Sequence, residues 1–187
     1  MSGRTAGKSP TCRNGHSYVA VLRGVNLIGK TTLRMAELKR IADDLKLGNA
    51  RTYIASGNLV FTSGEPGEKL RRMLEKELQA QMGKEVRVML RTAAEMAAVV
   101  RANPFTDQPG NSVQAFFMND PPPADLLATV RNQADDERIA TGPREVFVAY
   151  GEKGIGKSRL KIPAAESGTA RNMNTVAKLA ELAREMS

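Results

Sequence analysis

Histidine and cysteine occur once each, as His16 and Cys12, and both fall within the first seventeen residues. A cysteine protease, a Ser-His-Asp hydrolase and a Cys/His zinc site all need residues that the remaining 170 positions do not contain. No metal and no cofactor is therefore expected. A lone thiol cannot close an internal disulfide, which fits a reducing cytoplasm. Long apolar runs are also missing. The longest, Tyr18 to Leu22 and Val113 to Met118, fall far short of the roughly 20 residues of a membrane-spanning helix, so no membrane partner is expected. Residues 1–17 are rich in Ser, Gly and Thr, carry Arg4, Lys8 and Arg13 and no acid, and lack the apolar centre of a secretory signal. They read as a disordered tail.

What is present is a chain of 187 residues, 41% hydrophobic, with a formal charge of +8, enough apolar material for a packed core. Three of those charges belong to the tail. Between Gly151 and Lys178, Lys153, Lys157, Arg159, Lys161, Arg171 and Lys178 face only Glu152 and Glu166, a basic excess suited to phosphates or another anionic partner.

Tyr18 to Arg23 reads as a strand entering a glycine-bearing loop, Gly24 to Thr31. A helix follows on Met35, Leu38, Ile41, Ala42 and Leu45, with Gly48-Asn49 as its stop. Strands over Arg51 to Ala55 and Leu59 to Thr62 flank a reversal at Ser56-Gly57-Asn58; a helix over Pro66 to Met82 and a strand over Val86 to Leu90 complete the unit. The order β-α-β-β-α-β is that of a ferredoxin-like unit. In that topology the loop leaving the first strand and the hairpin leaving the second emerge together, which gathers Arg23, Asn26, Lys30, Ser56 and Asn58. The first strand is apolar on both faces, with Tyr18, Ala20 and Leu22 on one and Val19 and Val21 on the other, so its sheet should be covered twice. Tyr53 and Phe61 then read as core rather than as a base-stacking platform.

A helix over Ala93 to Arg101 stops before Asn103-Pro104-Phe105. The second half reads as a strand (Val113 to Met118), a proline connector, a short helix (Ala124 to Arg131), strands over Glu137 to Ala140 and Glu145 to Tyr150, a glycine- and lysine-rich loop, and a final helix over Asn172 to Met186. The fold class is thus α+β, two ferredoxin-like halves packed together: a tail (1–17), an N-terminal half (18–91), a linker helix and loop (92–111) and a C-terminal half (112–187). The shared element order admits an internal duplication.

Gly151 to Ser158 satisfies G-x-x-x-x-G-K-[ST] after a strand, the form of a nucleotide phosphate loop. Only 29 residues follow, none an aspartate, and no series of parallel βα units precedes it. A turn whose amides, with Lys157 and Ser158, meet an anion fits better, and a plain surface loop better still.

Tyr18 to Asn26, Arg51 to Phe61, Asn103-Pro104-Phe105 and Thr169 to Thr175, taken in order, resemble the signature of the bacterial family catalogued as domain of unknown function 1697. The resemblance implies a two-part α+β architecture built from ferredoxin-like pieces, and it implies no activity. The chain departs from the family in having Met173 where tryptophan is usual, Leu27-Ile28 where glycine is common, and Arg159 where lysine is usual.

Two clusters stand out as anion ligands. Arg23, Asn26, Lys30, Ser56 and Asn58 join two cations to three small polar groups, with Lys30 and Thr31 just ahead of a helix N-terminus; turn chemistry is the competing explanation of the asparagines and the serine. Arg171, Asn172 and Asn174, with Thr169 and Thr175, open the last helix, where a cation opposes the dipole unless an anion or an acid compensates. The leading reading is non-catalytic binding of a phosphate-bearing ligand, a nucleic acid or nucleotide, through these basic loops. Its rivals are an enzyme acting on a small anionic metabolite in a cleft between halves, with Arg23, Lys30, Arg171 and Glu37, and an interaction module pairing through its edge strands.

Overall fold

The computed structural model describes residues 15–25 and 32–187. Asn26, Lys30 and Thr31, and most of the tail, lie outside the described residues. All twenty acids of the chain lie inside them, because residues 1–14 and 26–31 contain neither aspartate nor glutamate.

The first half contains β1 (His16–Arg23), α1 (Met35–Asp44), β2 (Gly48–Thr52), β3 (Asn58–Ser63), α2 (Gly67–Met82) and β4 (Arg87–Thr92), and α3 (Ala93–Ala102) follows. The second half contains β5 (Val113–Phe117), α4 (Leu126–Thr129), β6 (Arg138–Thr141), β7 (Glu145–Ala149), β8 (Thr169–Asn172) and α5 (Met173–Glu185). Two four-stranded antiparallel sheets result, ordered β2-β3-β1-β4 and β6-β7-β5-β8. The protein is α+β.

The alternation read in β1 determines the layering. Tyr18, Ala20 and Leu22 pack with Leu38 and Ile41 of α1 and Leu70, Leu74 and Leu78 of α2. Val19 and Val21 turn the other way, with Val60 and Met89, onto Val113, Ala115, Phe117 and Phe147 of the second sheet. Met96 and Val99 of α3 and Val176 and Leu179 of α5 close that central core. Each large apolar side chain buried there contributes about 1.5–3 kcal/mol. The outer face of the second sheet is covered by Leu126 of α4 and by Leu160, Ile162 and the 3₁₀ turn at Pro163–Ala165, while a second 3₁₀ turn, at Ile155–Lys157, buries nothing.

Helix boundaries follow from local chemistry. Thr92 caps α3 by accepting the Glu95 N–H, while the Glu95 carboxylate accepts the Thr92 N–H at 2.8 Å. The helix ends at Ala102; the Asn103 side chain accepts the Phe105 N–H at 3.1 Å and Phe105 is buried, with the Arg138 guanidinium 4.9 Å over its ring. Asn172 caps α5 through the Thr175 N–H at 2.9 Å.

Several expectations need correction. His16 and Ser17 belong to β1 rather than to the tail, and the His16 ring sits edge-on to Tyr18. Helix α1 already ends at Asp44, because Lys46 takes a positive φ of 56°; Gly48 instead opens β2, where a β-carbon would overlap the Thr62 hydroxyl. Helix α4 is a single turn, since Pro121 to Pro123 leave too little chain before Val130 turns extended. Thr169 to Asn172, read as a helix opening, form β8. At the close of the fold, the Ser187 hydroxyl lies 3.1 Å from that of Ser17.

Candidate anion-binding site

β1 and β2 are each antiparallel to β3, so they run parallel to one another and finish together. Val21 lies opposite Asn58, and the Leu22 N–H donates to the Gly57 carbonyl at 2.9 Å. The hairpin between β2 and β3 turns tightly, with positive φ at Ile54 (47°) and Gly57 (80°). Glycine is required at 57, since a β-carbon there would run into the Val25 side chain. The Asn58 amide nitrogen donates to the Tyr53 carbonyl and to the Ser56 hydroxyl, both at 2.9 Å, which settles the orientation of the asparagine. Arg23 ends β1 exposed beside this hairpin.

Arg171 reaches into the same place from β8. It is only 7% exposed. Nε donates to Asn58 Oδ1 at 2.7 Å; Nη1 donates to Thr169 Oγ1 at 2.9 Å and the Ala170 carbonyl at 2.7 Å; Nη2 meets the carbonyls of Leu22 (3.0 Å), Gly57 (3.2 Å) and Ser56. All six acceptors are neutral, and no carboxylate forms an ion pair with it. Burial alone pulls its pKa down, to about 10, so it stays a cation at neutral pH. The expected penalty of a cation at a helix N-terminus does not arise, because Arg171 is a strand residue whose fork binds carbonyls of the other half.

Arg91 is built the same way on β4 and is 1% exposed. Nε donates to Glu145 Oε1 at 2.8 Å, Nη1 to the Leu90 carbonyl at 3.0 Å, and Nη2 to the carbonyls of Met118 (2.7 Å) and Arg144 (3.1 Å). Burial lowers its pKa, and Glu145 opposes the shift. Sequence reasoning passed over Arg91, although one signal was there: an arginine directly after the apolar run Val88-Met89-Leu90, in a strand of a sheet covered on both faces, cannot easily reach water.

The remaining candidates lie apart from this group. Asn172 is occupied as the cap of α5, and Asn174 is exposed on that helix's first turn, next to Gly110. Lys157 and Ser158 line a separate cavity of about 440 Å³ with Asn132, Asp136 and Glu137. There the Ser158 hydroxyl donates to Glu137, the Glu152 N–H donates to Asp136 at 2.9 Å, and the loop enters a three-residue 3₁₀ turn. The phosphate-loop reading fails on that geometry, for want of the α-helix whose N-terminus would face a phosphate, and because carboxylates already face the loop. Glu37 accepts the Arg34 N–H at 2.9 Å at the start of α1, a capping role.

A second, larger cleft, about 1060 Å³, lies between the halves and is lined by Tyr18, Arg71, Arg91, Glu95, Asn119 and Arg144 among others. Its arginines are paired: Arg71 with Glu68 and Glu75, Arg87 with Glu85, Arg144 with Glu95 at 2.6 Å, Arg91 with Glu145.

The family model described as "Protein of unknown function (DUF1697)" matches residues 16–147. The chain belongs to this family. Among solved structures, the conserved bacterial protein SP0830 from Streptococcus pneumoniae has the same fold, with a TM-score of 0.75 over 91% of this chain and 99% of that one, at 22% identity. No curated protein matches. Within this DUF1697 chain the described residues of the motifs at Tyr18 to Asn26, Arg51 to Phe61 and Thr169 to Thr175 meet at one place, since Leu22, Ser56 to Asn58 and Arg171 share hydrogen bonds.

Proposed function

We propose that the end of the molecule formed by Arg23, the Ser56 to Asn58 hairpin and the buried Arg171 binds a phosphate-bearing ligand, a nucleic acid or nucleotide, without catalysing a reaction on it. One observation carries the reading: a buried guanidinium has no carboxylate partner although every acid of the chain is described. It lies at the end of the sheet where Arg23 is exposed. The Arg171 donors are saturated, so direct contacts fall to Arg23 and the Ser56 hydroxyl, while Arg171 contributes charge. We read each half as a ferredoxin-like unit; the identical strand orders support this, although the second half replaces the helix between its last two strands with 3₁₀ turns. A cytoplasmic location belongs to the same reading.

Fluorescence anisotropy of a labelled mixed-sequence oligonucleotide tests it. Binding at low salt should weaken steeply between about 50 and 200 mM salt, and Arg23→Ala should reduce the slope of log K against log salt by about one. An absence of binding at low salt removes the proposal.

The interdomain cleft favours a second reading, an enzyme acting on a small anionic metabolite. Its paired arginines weigh against it, since none is left to meet substrate charge. Pairing through edge strands is weakened at β4, where Glu75 and Glu95 occupy the Val88 and Thr92 amides.

A further inference from the structure

The two arginine clasps correspond residue for residue. Arg91 on β4 lies opposite Val19 of β1, and Arg171 on β8 lies opposite Ala115 of β5. Two residues further along, Val21 faces Asn58 and Phe117 faces Glu145. One residue beyond, the Leu22 N–H donates to the Gly57 carbonyl and the Met118 N–H to the Arg144 carbonyl, each at 2.9 Å. Each arginine gives Nη1 to the carbonyl of the residue before it, and Nη2 to carbonyls at the equivalent two positions of the other half, Met118 and Arg144 for Arg91, Leu22 and Gly57 for Arg171. The next residue in each case, Thr92 or Asn172, caps the helix that follows by accepting the N–H three positions on. Such reciprocity, in which each copy's arginine grips the other copy's strand end, is the pattern of an isologous two-fold contact.

Within that correspondence one chemical difference stands out. The group that meets Nε is the Glu145 carboxylate at one clasp and the Asn58 amide at the other. The molecule thus contains its own control: the same cation in equivalent carbonyl cages, neutralised once and left charged once. We propose that the chain is an internal duplication whose Arg91 clasp is a closed structural pair, and that at its Arg171 clasp the phosphate of the ligand takes the counter-charge role that Glu145 fills for Arg91. This rests on the anion-binding reading above and assigns its charge partner.

The Ser56 hydroxyl suits such a ligand, because it accepts from Asn58 Nδ2 and among the described residues donates to nothing. A carboxylate introduced at 58 would supply the missing charge internally and compete with the ligand. Asn58→Asp keeps an oxygen for Arg171 Nε and loses the donation to the Tyr53 carbonyl, whereas Asn58→Ala loses both without adding charge, so the comparison is read together with Ser56→Asp against Ser56→Ala, which leaves the bond between residue 58 and Arg171 in place.

The experiment measures, in the full chain, the affinity for a short single-stranded oligonucleotide and, as a second arm, for AMP; the stronger arm identifies the source of the phosphate. Asn58→Asp should weaken binding about tenfold relative to Asn58→Ala, and Glu145→Gln at the equivalent position should not weaken it. If Asn58→Asp does not fold, Ser56→Asp places a carboxylate on the same hairpin and is read against Ser56→Ala. Equal affinities for the aspartate and alanine variants would overturn this assignment while leaving the binding site standing. No affinity of the unmodified chain for either probe would remove the parent reading as well.

Discussion

Two arginines, Arg91 and Arg171, are the residues on which the joining of the halves depends, and they should respond differently to substitution. Truncating Arg91 to Met strands the buried Glu145 carboxylate, at a cost of about 3–5 kcal/mol, whereas Arg91→Met with Glu145→Leu should recover most of it, because an apolar pair of similar volume avoids the desolvation. Arg171 has no carboxylate to strand. Replacing it with Lys keeps the charge but offers three donors to six oxygens, and the carbonyls left unpaired should cost about 2–4 kcal/mol, a fall of roughly 5–15 °C in Tm. Thermal unfolding of the three variants checks both statements. Tyr150 offers a separate test. Burial, with Glu137 as a smaller cause, pushes its pKa up from 10.0 to about 12, so the folded state holds a proton that the unfolded state releases. Stability should be unaffected below pH 10 and decline as pH rises from about 10 to 12; Tyr150→Phe should flatten that decline.

Among the elements, the β2–β3 hairpin combines strain with exact fit. Ile54 is β-branched and half-exposed, yet it takes a left-handed φ of 47°, a conformation that costs such a residue about 1–2 kcal/mol. Ile54→Asn should raise stability by about 0.5–1 kcal/mol, and Gly57→Ala should lower it by about 2–4 kcal/mol, since the added methyl meets both an unfavourable φ and the Val25 side chain. Urea melts of the two variants moving in opposite directions would bear this out. Elements of this kind were legible where periodicity was strong: β1 from its two apolar faces, α2 from Leu70, Leu74 and Leu78, the stop of α3 from Asn103-Pro104. β8 was not legible. Thr169-Ala170-Arg171-Asn172 has no apolar alternation, and its strand character comes from pairing with β5, which no local pattern announces. Gly48 misled for a related reason, because a glycine that admits a close neighbour looks the same in sequence as one that ends a helix.

At the scale of the whole molecule, chain topology did what the sequence reading required of it at Arg23, Ser56 and Asn58, which β1 and β3 bring together. What could not be read was the contribution of the other half. The grip of Arg171 on Leu22 and Gly57 spans more than a hundred residues, and the partnership of Arg91 with Glu145 spans 54. Both depend on how two sheets face one another, information that resides in the packed faces of Val19, Val21, Phe117 and Phe147 rather than in any motif. The glycine- and lysine-rich loop taught the converse lesson, since a matching motif acquired a different meaning once Asp136 and Glu137 were seen to face it.

The meeting of the Ser17 and Ser187 hydroxyls sets the start of the first strand beside the residue that follows the last helix turn. A few glycines and serines joining residue 187 to residue 15 would make it a ring, and the ring could then be cut between Thr106 and Asp107, both exposed, to give a protein that begins with its second sheet. Such a rewired chain should melt within a few degrees of the original, and its far-ultraviolet spectrum should be superimposable.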